Sequence, residues 1–148
     1  MEPKKYITSE LFIHDELARR AKLVVDAIPT LWRRDGRIVP SIFIWPSDQV
    51  KTEDGSMHDG LIVATLPQDA TERGDLIRQS ISDTKPYAIL IVESTRNSIT
   101  AVFETHHGTR AWVIPIHEHG DARVLGDVST TDNKISLGIL WRKNSSIN

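Results

Sequence analysis

The chain contains no cysteine. That one absence excludes disulfides, thiolate zinc sites, iron–sulfur clusters and cysteine nucleophiles together. Aromatic residues are scarce, at 6% of the total, and 4 of them are tryptophan, so each tryptophan matters to whatever packs around it. No charge of either sign dominates: Lys plus Arg number 18 and Asp plus Glu 20, a formal charge of −2. Such a balance argues against a surface built mainly to neutralise phosphates or to lie on an anionic membrane. Long apolar runs are missing too. The longest, Tyr87 to Val92, is far too short to cross a bilayer, and no apolar segment follows Lys4 and Lys5 to act as a signal-peptide core. The expectation is a soluble, cytoplasmic protein.

What is present is enough for one domain. The 148 residues read as a single α+β domain over 1–148, with 144–148 a frayed tail and no internal repeat. Ser9 to Ile28 carries Ile13, Leu17, Ala21, Val24 and Ile28 at three- and four-residue steps, which predicts an amphipathic helix stopped by Pro29. A shorter helix is expected over Thr71 to Ser82, weakened by Gly74. Short β-branched runs bounded by turn residues predict strands at Ser41–Trp45, Leu61–Leu66, Pro86–Glu93, Ile99–Thr105, Thr109–Ile116, Arg123–Gly126 and Ile135–Trp141. Short connections join the last five, so the economical arrangement is an N-terminal helix, two strands, a second helix and an antiparallel β-meander. The polar stretch from Ser47 to Gly60 reads as a long loop.

Area arithmetic sharpens this layout. Six strands about 20 Å long make a sheet with roughly 580 Å² per face. Two helices of about 20 and 12 residues cover roughly 480 Å². Placed together on one face, they leave the other bare. Yet Ile42–Trp45, Leu61–Ala64 and Tyr87–Val92 are apolar at consecutive positions, the pattern of strands buried on both faces. The Ser47–Gly60 loop, a bound ligand or a second copy of the chain could supply the cover, and the expectation is the last, a homodimer with Trp45, Trp112 and Trp141 as interface anchors.

Two sets of residues suggest chemistry. His117-Glu118-His119-Gly120-Asp121 resembles the His-x-His-x-Asp pattern of metallo-β-lactamase-type hydrolases, whose histidines and acid hold a metal pair. That family has a further histidine directly after the aspartate, where Ala122 stands, and an α/β sandwich that this chain lacks, so the assignment is excluded. A local zinc or iron site remains an alternative: His117 and His119 share one face of a strand, and the meander brings Glu93 toward them, with Asp121 as a fourth ligand. Trp32, Arg33, Arg34 and Arg37 form the second set, an aromatic beside basic residues that could stack a base and hold a phosphate. His14, next to Asp15 and Glu16, reads as an exposed helical residue. No nucleophile elbow, Walker loop or dinucleotide fingerprint occurs.

The strand segments Tyr87–Ser94 and Trp112–Ile116, followed by Arg123–Asp127, resemble in their order short uncharacterised prokaryotic α+β proteins of unknown function. The resemblance implies a compact α+β domain and names no site. The resulting expectation is a small interaction or accessory protein, self-associating through a sheet face, with no catalytic activity assigned and no cofactor required. A metal-dependent hydrolase and a weak nucleic-acid binder are the alternatives.

Overall fold

The computed structural model describes residues 10–47 and 60–133. Among them are two helices and seven strands: α1 (Glu10–Asp35), β1 (Ser41–Pro46), β2 (Ile62–Thr65), α2 (Ala70–Thr84), β3 (Pro86–Ser94), β4 (Ser98–Thr105), β5 (Gly108–His119), β6 (Ala122–Leu125) and β7 (Ser129–Asn133). The α+β order is the one read from the sequence. The strands form one antiparallel sheet in the order β2-β1-β3-β4-β5, and β5 pairs β6 and β7 along its far edge. The expected strand at Ile135–Trp141, and with it Trp141, lies outside the described residues, as does most of the Ser47–Gly60 loop.

The helix α1 does not stop at Pro29 but runs on to Asp35. A proline inside a helix costs about 3 kcal/mol through a lost donor and a clash with the preceding turn. The extra turns bury Ile28 and Trp32 in the main core. Burying a tryptophan removes about 200 Å² from water, worth about 5 kcal/mol, so packing outweighs the proline. Gly36, at φ +75°, then ends the helix by donating its N–H to the Trp32 carbonyl at 2.7 Å. At the start of α2 the Asp69 carboxylate accepts from the Glu72 N–H at 2.9 Å. At its end Lys85 adopts a left-handed conformation, φ 47°, and donates to the Ile81 carbonyl.

The helices lie on opposite faces of the sheet, which corrects the expectation that both cover one face. Along β1 and β3 the side chains alternate. Trp45, Leu90 and Val92 join α1's Ile13, Leu17, Ala21, Val25 and Ile28 in one core. Ile42, Ile44, Ile89 and Ile91 join Leu66 and α2's Ile81 in a second, against which Leu76 and Ile77 pack. The doubly buried pattern of β1 and β3 therefore needs no partner molecule. It comes from a helix on each side.

Each helix is too small for a whole face. The longer one packs on β3 and β4 and the shorter on β1. On α1's side the cover thins toward β2, where Phe43 is only half-buried and Val63 is exposed. On α2's side Thr100, Val102, Ala111 and Val113 are half-buried. Two diagonally opposed quarters of the sheet receive little from either helix.

Candidate functional site

Position in the sheet decides what each sequence-read residue can do. His117 and His119 lie near the end of β5, opposite Val124 and Ala122 of β6. Alternate strand positions put both rings on one face. The tight turn at Gly120, φ +64°, carries Asp121. The His117 ring is packed down beside Pro115 onto Gly126, where a β-carbon would come within 2.6 Å of its Nε2. Glu93 is not brought to this end. It pairs in register with Thr100, which pairs with Val113, four positions before His117. Two strand spacings and four residues of rise separate their backbones by roughly 16 Å, beyond the reach of a shared metal ion. Arg73 holds Glu93 instead, at 3.6 Å. What does meet this hairpin is the β3–β4 turn: Arg96 lies 4.0 Å from Glu118, and the Asn97 carbonyl accepts from the Ile116 N–H. No group of three or more metal-ligating side chains forms among the described residues.

The nucleic-acid set fares differently in its two parts. Arg33, Arg34 and Arg37 are exposed, but Arg34 is engaged by Asp35 at 2.9 Å. Trp32 belongs to the core, and the Arg123 guanidinium lies over its ring, 5.7 Å from the centroid. Its face is closed to a base. Trp45 and Trp112 are likewise buried within the chain, packed in the α1-side core. They anchor the fold rather than an interface, which corrects the role expected of them.

A polar cluster that the sequence does not announce sits at the opposite end of the sheet. His14 is buried, not exposed, with its ring 5.6 Å from Phe103 and 5.9 Å from His107. Its Nδ1 is hydrogen-bonded to the Thr105 hydroxyl, whose oxygen also accepts from the His107 N–H at 3.0 Å. Burial pushes the His14 imidazole below its ordinary pKa. Asp15 opposes that shift, His107 and Arg110 add to it, and Asp132 opposes it. Thr105 is completely buried, so its hydroxyl is no nucleophile for an incoming substrate. The pair fastens α1 to the β4–β5 turn.

Beside this cluster a shallow groove of about 320 Å³ runs between α1 and the β5–β7 edge, lined by Arg19, Lys22, Arg110, Trp112 and Asp132. Every cation in it is paired with an acid, although Arg19 shares Glu16 with Arg20. Arg19 pairs with Glu16, Lys22 with Asp26 at 2.8 Å and Arg110 with Asp132 at 2.5 Å. The Arg110 hydrogen bond holds the Asp132 carboxyl below its usual range. The groove offers little unbalanced charge to an anion.

Among the described residues, three consecutive apolar side chains stand exposed at β2. Ile62, Val63 and the preceding Leu61 are exposed, Val63 to 55%. These are residues whose apolar run predicted burial on both faces, and the structure overturns that for β2. The strand is outermost in the sheet, paired only with β1 among the described residues. It carries no charge, proline or bulge, the usual devices that blunt a sheet edge. On α1's side a groove of about 190 Å³ between α1 and β1 is lined by Leu31, Val39 and Phe43 together with the charged Arg34, Asp35 and Arg37. Phe43 stands in register with Val63. Leu31 and Val39 are themselves exposed, so with the strand they form one apolar margin.

Comparison with protein-family models, with curated proteins and with solved structures finds no match.

Proposed function

We propose that this chain is a small cytoplasmic interaction or accessory protein that works as a homodimer and carries no catalytic centre of its own. The observation that supports this reading is the apolar margin at β2: Leu61, Ile62 and Val63 are exposed on an edge strand, beside Leu31 and Val39. Exposed apolar residues scattered singly are ordinary, whereas a contiguous set on an unprotected strand edge marks an interaction surface. Symmetric dimers are the commonest soluble assembly, and a single such margin among the described residues suits a two-fold contact.

The metal alternative loses support from the distance between Glu93 and His117, and the nucleic-acid alternative from the burial of Trp32. No described helix is long and apolar enough to cross a membrane. The test is the solution mass of the untagged protein over a range of concentrations. A dimer whose mass holds on dilution supports the reading, and a monomer at every concentration contradicts it.

A further inference from the structure

We propose that two copies join along β2, so that their sheets fuse into one antiparallel sheet across a two-fold axis. The inference rests on the self-association reading above and names the surface and the register.

Three observations carry it. First, an edge strand has an outward row of N–H and C=O groups, which only another strand satisfies in kind. A merely apolar partner would cover Val63 and leave the main chain dry and unpaired. Second, β2 is apolar on both sides of the sheet. Its register with β1 puts Val63 and Thr65 on one side, with Phe43 and Ser41, and Ile62 and Ala64 on the other, with Ile44 and Ile42. Facing residues of an antiparallel pair share a side, so a two-fold pairing must match like parity with like. Centred on Val63, it sets Val63 of one copy against Val63 of the other, and Ile62 against Ala64. The central facing pairs are then apolar on apolar, and Thr65 meets Leu61 at each end.

Third, the area is of the right order. The edge from Leu61 to Leu66 is about 20 Å long, and the sheet with α2 beneath it is about 20 Å deep, roughly 400 Å² in projection. Accessible area exceeds projection on a corrugated surface, and Leu31 and Val39 extend the margin on α1's side. The edge itself supplies about half of the ~800 Å² per partner of a standard interface, and these two side chains add to it.

The absence of cysteine makes the test clean, because a single introduced thiol has no native competitor. At the axis the two Val63 α-carbons stand about 4.5–5.5 Å apart, within disulfide range. Mild oxidation of dilute Val63→Cys is expected to cross-link most of the protein as a dimer. Leu23→Cys, equally exposed but on the outer side of α1, is expected to stay monomeric on a denaturing gel. Val63→Lys, which sets two like charges at the axis, is expected to raise the dimer dissociation constant at least about tenfold. A dimer in solution that gives no Val63→Cys cross-link overturns the edge pairing and leaves self-association standing. A protein monomeric by mass overturns both.

Discussion

His14 in α1 is hydrogen-bonded to Thr105 at the end of β4, 91 positions along the chain. The Thr105 hydroxyl also accepts from the His107 N–H, and which partner donates in its bond to His14 Nδ1 follows the tautomer of the ring. Burial, His107 and Arg110 all disfavour a charge on that ring, against the pull of Asp15 and Asp132.

The consequence is a pH dependence of stability with a definite sign. Above the unfolded histidine value of about 6.5 the ring is neutral in both states and the fastening is intact. As the pH falls from there toward the lower folded pKa, the unfolded chain takes up the proton more readily, and stability is lost. The loss is about 1.4 kcal/mol for each tenfold by which the folded site disfavours the proton. Urea midpoints at pH 7.5 and pH 5.5 are expected to differ more for the wild type than for His14→Asn. Equal differences would show that His14 is not the group responsible.

Pro29 sits inside α1 because Ile28 and Trp32 bury on either side of it. Pro29→Ala should therefore stabilise the protein, by about 1–3 kcal/mol, since it restores a donor and relieves the clash without touching the core. Thermal unfolding reads this directly as a higher midpoint.

Removing what the continued helix buries has the opposite sign. Trp32→Ala is expected to cost about 3–5 kcal/mol, the range for a buried tryptophan. Arg33→Ala and Arg37→Ala, both at exposed positions, should stay within about 0.5 kcal/mol of the wild type. A single-stranded oligonucleotide bound at low salt, with binding lost in Arg33→Ala but stability unchanged, would restore the nucleic-acid reading.

His117 lies against Gly126 so closely that a methyl group cannot be added without movement. Gly126→Ala is expected to cost about 1–3 kcal/mol through overpacking. Most of that cost should persist in a His117→Ala background, because Pro115 Cγ would still lie 2.8 Å from the new β-carbon and its ring cannot rotate away as the exposed His117 side chain can. A cost that vanishes in that background would place the strain at His117 instead.

The elements were legible where periodicity and turn chemistry agreed. The meander and both helices follow from that pattern, with α2 lengthened at each end by the Asp69 cap and the left-handed Lys85. What misled is instructive. Proline read locally stops a helix, but the burial that outweighs it is tertiary. The polar Ser129–Asn133 carries no strand pattern; it is a strand because β5 runs on past β6 and offers a free edge. Consecutive apolar positions were sound evidence of two-sided burial in β1 and β3, though the cover on the second side is α2 rather than a partner copy. In β2 the same pattern marks an exposed edge. The sequence around His14 gives no sign of its burial, because its partner Thr105 is 91 positions away and no local signal links them. The tryptophans announced size, not location.

The central claim is that the apolar margin at β2 is closed by a second copy, and light scattering of untagged protein across a hundredfold dilution tests it most directly. A mass of about 33 kDa, twice the 16.7 kDa chain, that persists on dilution is the predicted result. A mass that stays at 16.7 kDa even at the highest concentration would contradict the account.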